Sequence, residues 1–262
     1  SRQRLPGNGL IAVVAERRRL LIDSRRLQCA DEHRRFALED HESRYLRRVL
    51  RLRPGDQVDV TDGRGHLWTA RLLDGDRLEL CADIEALSQQ LEAPSPKLGL
   101  AIAVIRRGMD EVMRMACELG VDQLQPIHCQ RCVPQAEHRP DRWRSIVREA
   151  VEQCERLWAP ELSELRAVED WWEAADGSDL RLIAVTRSAQ VTPLSDLLAA
   201  QTSVARSIWV AIGPEGGWSD QELAAATAAG WLPVSLGDTI LRSSTAAVAG
   251  VVSLTNWRSL RC

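Results

Sequence analysis

The sequence predicts an α/β protein: a largely parallel sheet with interleaved helices over residues 98–262, preceded by a smaller antiparallel β-module. Three observations predict it. In "PGDQVDVTDGRGHLWTARLLDGDRLEL" (54–80), short runs of alternating polar and apolar residues lie between Pro-Gly-Asp and Asp-Gly turns. That is the pattern of closely spaced antiparallel strands in a small sheet or barrel. After residue 97, apolar runs of strand length alternate with amphipathic helical stretches, as parallel strands joined by crossovers require. Between the two, "SQQLEAPSPK" (88–97) is polar and carries two prolines, the composition of a linker.

Each element follows in order. Residues 1–16 have no clear periodicity and are expected to form a tail. The β-module is expected over 17–87, opening at "RRRLLID". Within it, "DHESRYLRRVLRL" places Tyr45, Leu46, Val49, Leu50 and Leu52 at roughly helical spacing, with Arg44, Arg47, Arg48 and Arg51 on the other faces. "LGLAIAVI" (98–105) is a continuous apolar run, as expected of a strand buried on both faces. "MDEVMRMACELG" is a helix closed by Gly120. "QLQPIH", "LRLIAV" and "SIWVAI" read as strands and "RWRSIVREAVEQCERL" as a helix. In "SDQELAAATAAG", Ser219 and Glu222 form a capping box and Gly230 ends the helix.

Charge is distributed unevenly. Residues 1–53 hold fourteen Arg and seven acidic groups, a balance of +7, which leaves −10 for the rest of a chain whose net charge is −3. A basic front end on a mildly acidic body suits a polyanion bound by one module. The use of Arg over Lys, with Lys97 the one lysine, is what a GC-rich genome produces regardless of function, but it does not explain the clustering. No run of eighteen apolar residues is present, so no membrane span is expected. The first twenty residues lack the apolar segment of a secretory signal, and seven scattered cysteines fit a reducing compartment, so the expected location is the cytoplasm.

Two loops carry the chemistry. In "AIGPEGGWSDQE" an apolar strand runs straight into Gly213, Pro214, Glu215, Gly216 and Gly217 before a capped helix. Ligands of open α/β sheets sit beyond the carboxyl ends of strands, where glycines let backbone approach a flat ligand. The spacing matches neither dinucleotide nor P-loop fingerprints, and a carboxylate in the loop repels phosphate. "SLGDTILRSSTAAVAG" is the second loop. Leu236-Gly237 and Ile240-Leu241 offer backbone groups flanked by apolar side chains, a mixture suited to an adenine ring. Ser243, Ser244 or Thr245 is expected to cap the following helix. Ala246, Ala247, Ala249 and Gly250 permit close packing against another helix or another subunit. "HCQRC" sets Cys129 and Cys132 at C-x-x-C spacing beside His128, but no second half-site exists, so buried thiols are expected and no metal. Most of the nine tryptophans are expected to be packing residues.

An "IGPEGG" loop followed about twenty residues on by "LG…ILR…TA" resembles the RsmE family of 16S rRNA (uracil-N3)-methyltransferases, of the SPOUT class. "YLRRVLRLRPGDQVDVTDGRG" is similar to that family's N-terminal PUA-like barrel. "MDEVMRMACELGVDQLQPIHCQRCV" and "RWRSIVREAVEQCERLWAP" resemble its later helix–strand segments, and the likeness spans residues 17–260. The resemblance implies a trefoil-knotted SPOUT domain, which no periodicity would reveal, an RNA-binding barrel, and a homodimer. It further implies S-adenosyl-L-methionine as cofactor and, as partner, small-subunit ribosomal RNA or the assembled 30S subunit. On it, Ile212, Gly213, Glu215, Gly216, Gly217, Leu236, Gly237, Ile240, Leu241, Arg242 and Ser243 are cofactor-site residues, and Arg242 is catalytic. Arg44, Arg47, Arg48, Arg51, Arg64, Arg106, Arg107 and Arg131 are the candidates for RNA phosphate contacts. The chain departs from the family at Thr239, where Arg is usual, and at Ser244, where Glu is usual, so roles resting on those side chains do not carry over. The general base stays open among water, Glu215 and a partner-subunit residue. A SPOUT enzyme with another RNA target, or an RNA-binding scaffold without catalysis, fits the same residues.

Overall fold

The structure, a computed structural model, describes residues 18–136, 138–174, 179–186, 191–202 and 205–261; the tail expected over 1–16 lies outside them. Its contacts divide into two units, one ending at Thr61 and resuming over Leu67–Ser88, the other comprising Asp62–His66 and the chain from Gln89 onward.

The first unit holds β1 (Arg19–Leu21), α1 (Ser24–Gln28), β2 (Arg35–Ala37), α2 (Asp40–Arg44), β3 (Gln57–Thr61), β4 (His66–Leu73) and β5 (Arg77–Leu80). Its strands run in the order β1-β3-β4-β5-β2. The β3–β4, β4–β5 and β5–β2 seams are antiparallel as expected, whereas β1 lies parallel to β3, with Arg19 opposite Asp59. Alternate residues supply the core: Val58 and Val60 from β3, Trp68, Ala70 and Leu72 from β4, Leu78 and Leu80 from β5. Asp74-Gly75-Asp76 turns β4 into β5, Gly75 at φ 70° and Asp76 at φ 54°. The expected helix over 40–52 is only partly α. After α2, Tyr45–Val49 widens into a π turn, with Leu50 N–H donating to Tyr45 O and Leu52 N–H to Leu46 O, each at 2.9 Å. The extra residue per turn rotates the apolar register, so Leu46 is buried but Val49 is 65 % exposed.

The second unit holds β6 (Gln89–Gln90), β7 (Lys97–Ala103), α3 (Met109–Glu118), β8 (Gln123–His128), α4 (Pro140–Cys154), β9 (Glu161–Leu162), β10 (Arg166–Ala167), α5 (Val168–Ala174), β11 (Leu180–Ala184), α6 (Leu194–Ala200), β12 (Ser207–Ile212), α7 (Asp220–Ala228), β13 (Leu232–Val234) and α8 (Ser243–Ser259). The order β10-β8-β7-β12-β11-β13 is parallel throughout, with β9 also parallel to β8. Helices α3, α6 and α8 associate on one face, α8 lying directly on β7 and β12. On the other, α5 and α7 enclose a tryptophan cluster in which Trp171 meets Trp209 and Trp172 meets Trp231, both at centroid distances of 4.8 Å. Edge-to-face stacking of this kind adds to the burial of large rings, and the packing role expected for most tryptophans holds for these.

The small residues of α8 serve this sheet. Ala246, Ala247 and Gly250 are buried, and a Cβ on Gly250 would meet Val210 and Ile212 at 3.2–3.8 Å. Close packing there is therefore explained within one chain. At the amino-terminal end of the strands, the buried Asp122 accepts the Leu98 N–H (2.8 Å), Arg156 (3.3 Å) and Arg258. Arg258 also donates to Pro96 O and Gly120 O, fixing the end of α8 to the turns around β7 and α3.

Candidate active site

The opposite, carboxyl-terminal end of the strands is open. A cleft of about 1500 Å³ lies over the ends of β7, β8, β11, β12 and β13. Ile212, Gly213, Glu215, Gly216, Gly217, Leu236, Gly237, Ile240, Leu241, Arg242 and Ser243 all line it, so one site gathers every residue of the two loops singled out from sequence. Parallel strands cause this: each ends at the same pole, and adjacent strand ends bring their loops together.

The loop after β12 is braced. Gly217 N–H donates to Pro214 O at 2.8 Å, and Arg131 Nη1 donates to Trp218 O (3.0 Å) and Gly216 O (3.3 Å). The glycines serve packing: a Cβ on Gly213 would stand 3.0 Å from the Trp218 ring, and one on Gly216 would stand 3.0 Å from Arg131 Cβ. Trp218 Nε1 donates in turn to Ala184 O (2.8 Å). Glu222, only 2 % exposed, completes the capping box with Ser219 and accepts the Gln130 N–H at 2.7 Å, tying the turn after β8 to the start of α7.

The loop after β13 is different. Ser235 is held, its C=O accepting Leu194 N–H at 2.9 Å, but among the described residues the backbone of 236–241 makes no hydrogen bond. Leu236 and Leu241 are half-buried and 237–240 are exposed, so these backbone groups are open to water or to a ligand. Gly237 sits at φ 135°, a conformation L side chains rarely adopt. No side chain caps α8: its N-cap is Arg242, and Ser243, expected as a possible cap, is the first helical residue and is buried.

Arg242, Arg106 and Arg107 are exposed on the cleft and, among the described residues, their guanidinium groups have no hydrogen-bond or ion-pair partner. Ser244 and Thr239, the two departures, also line it. Trp218, Ala184, Val185, Thr186 and Pro193 also line the wall and were not found from sequence; only the apolar run ending at β11 pointed that way. Cys129 and Cys132 lie beneath this rim, Cys129 N–H donating to Cys132 Sγ at 3.2 Å. The thiol–thiol hydrogen bond, then burial, pushes the Cys129 pKa up, and the same bond lowers that of Cys132. Among the described residues the one cluster with metal-ligand proximity is Glu39, His41 and Glu42, part of which forms the cap of α2 and pairs with Arg26.

Of the remaining phosphate-contact candidates, Arg44, Arg48 and Arg51 are exposed in the first unit without an ion-pair partner among the described residues. Arg47 is drawn inward, donating to Asp76 Oδ1 (2.7 Å) and Leu73 O (3.0 Å). Arg64, read from sequence with the β-module, belongs to the second unit, where it bridges to Trp158.

A parallel sheet with a solvent-open cleft at its strand ends, walled by glycine-bearing loops and rimmed by guanidinium groups unpaired among the described residues, is the arrangement of an α/β enzyme with its ligand site at the strand ends. Residues 92–255 match the RNA methyltransferase domain family, and residues 38–85 match the RNA methyltransferase PUA domain. The chain is 38% identical over 214 residues to the ribosomal RNA small subunit methyltransferase E of Synechocystis sp., covering 80% of this chain and 69% of that one. The corresponding protein of Mycobacterium bovis is 32% identical over 217 residues, with 78% and 79% covered. The crystal structure of ribosomal RNA small subunit methyltransferase E from Neisseria gonorrhoeae bound to S-adenosyl methionine superimposes with a TM-score of 0.75 at 28% identity, covering 92% of this chain and 98% of that chain. The chain belongs to the ribosomal RNA small subunit methyltransferase E family.

Proposed function

We propose that this protein transfers the methyl group of S-adenosyl-L-methionine to N3 of a uridine in small-subunit (16S) ribosomal RNA. The observation that carries the reading, beside family membership, is that the braced loop after β12 and the 236–241 loop, whose backbone has no partner among the described residues, line one cleft. Those N–H and C=O groups suit the edge of an adenine, and Ile212, Leu236, Leu241 and Trp218 suit its faces, so the residues present fit the cofactor. Bound there, the cofactor supplies a methyl group already activated on a sulfonium, and the transfer needs no metal.

The protein's tasks are then position and charge. The uracil N3–H is a poor nucleophile and its anion a good one; the free guanidinium of Arg242 stabilises that anion in the reacting geometry. Because pairing hides N3, the uridine must be unpaired or turned out of a helix. We assign the first unit, with Arg44, Arg48 and Arg51, to phosphate docking, and Arg106 and Arg107 to contacts at the cleft. The protein is further proposed to act as a homodimer in the cytoplasm, a reading that rests on its family and no longer on the small residues of α8.

The test is mass mapping of 16S rRNA methylated by the purified protein, with calorimetric titration of the cofactor alongside. One methyl at a uridine N3 is expected. Arg242→Ala is expected to lower turnover by about 100-fold, the scale of losing one preorganised charge partner, with cofactor affinity kept within about threefold. Methylation at another atom, or cofactor binding without any transfer, would replace the reading with another target or with a scaffold.

A further inference from the structure

Residues 105–107 leave the carboxyl end of β7 and reach α3 through Gly108, whose φ is 99° and which caps that helix with no side chain. Among the described residues a single hydrogen bond restrains this bend: the Arg106 N–H donates to Glu215 Oε1 at 2.8 Å. The acceptor stands on the neighbouring strand's loop, and it reaches because β7 and β12 pair in register, Ile102 opposite Ile212. Glu215 itself is exposed, and the loop that carries it has independent restraints in the Pro214–Gly217 turn and the Arg131 bonds. The backbone of its loop is therefore held without the carboxylate, whereas the bend has that one bond.

We propose that Glu215 is a positioning residue: it clamps the 105–107 bend so that the guanidinium groups of Arg106 and Arg107 stay on the rim of the cleft, where they meet RNA phosphate. This rests on the methyltransferase reading above and removes Glu215 from the candidates for the general base. The clamp needs an acceptor oxygen, which a glutamine amide also supplies, whereas a base needs the carboxylate.

The experiment compares the full chain with Glu215→Ala and Glu215→Gln, using amide exchange at 105–107, rRNA KM, kcat and cofactor titration. Glu215→Ala is expected to speed exchange at Arg106 by about tenfold and raise the rRNA KM by about tenfold, a larger effect than on kcat. Glu215→Gln is expected to recover exchange and KM to within about threefold of the parent. A kcat loss of about 100-fold or more in both Glu215→Ala and Glu215→Gln overturns the proposal in favour of a base, and unchanged Arg106 exchange in Glu215→Ala overturns the clamp. Should the parent chain methylate no rRNA, the function reading falls. The exchange arm needs no turnover, so protection lost in Glu215→Ala and kept in Glu215→Gln would still support the clamp.

Discussion

The two ends of the parallel sheet use the same residue types for opposite purposes. At the amino-terminal end, Asp122 is buried among Arg156, Arg258 and the Leu98 N–H, and each guanidinium also satisfies backbone carbonyls. At the carboxyl-terminal end, the guanidinium groups of Arg106, Arg107 and Arg242 stand exposed without a carboxylate partner among the described residues, beside six residues whose backbone makes no hydrogen bond among them. A charge that is paired and desolvated holds structure and punishes removal of its partner. A charge left unpaired at a cleft costs little in the free protein and is available to a ligand. The difference separates the residues that keep the fold from those that use it.

That separation is broken most severely at Asp122. Asp122→Ala leaves two largely buried guanidinium groups and the Leu98 N–H without their acceptor. Removing one partner of such a set costs about 3–5 kcal/mol. Urea unfolding should show a loss of that size, with cofactor binding and turnover falling only as folded protein is lost. A variant that kept its stability but lost cofactor affinity would place Asp122 with the site and erase the contrast between the two ends.

Gly237→Ala tests the other end at smaller scale. A Cβ there would touch nothing within 4 Å, so the substitution has no steric neighbour, but φ 135° is strained for alanine. Such strain is worth about 1–3 kcal/mol, and a loop without internal hydrogen bonds relaxes it by moving. Cofactor affinity is expected to fall about tenfold, while the melting temperature of the free protein stays nearly unchanged. A fall in melting temperature comparable with that of Asp122→Ala would show that the 236–241 loop is part of the frame.

Much of this was legible because it is periodic or local. The strands expected over 98–105, 123–128, 180–185 and 207–212, the Ser219–Glu222 capping box and the closing Gly120 and Gly230 depend on neighbours a few residues away, and all appear, with the first strand ending at Ala103 and the third at Ala184. What was not legible depends on partners far along the chain. The π turn at Tyr45–Val49 and the parallel β1–β3 seam interrupt patterns that, from sequence, predict an α-helix and an antiparallel pair. Gly213 and Gly216 do mark a special loop, but the atoms that require them belong to Trp218 and Arg131, and sequence reasoning assigned that space to a ligand. Glu215 carries no local signal of its acceptor role, because its donor lies 109 residues earlier.

The contrast between paired and unpaired guanidinium groups also runs through the first unit, within two adjacent residues. Arg47 donates to Asp76 and Leu73 O, and Asp76 is held below the usual carboxylate range by its bonds from Ser43 and then Arg47. Arg48 is exposed and has no such partner among the described residues. Arg48→Ala is therefore expected to weaken rRNA binding about threefold at moderate salt and to lower the slope of log affinity against log salt by about 0.7–0.9, one phosphate contact, with the melting temperature unchanged. Arg47→Ala should do the reverse, lowering the melting temperature slightly while the salt slope stays the same. The two variants differ by one position on one turn, so a shared response would mean that net charge alone governs docking and that the internal bonds of Arg47 do not withhold it from RNA.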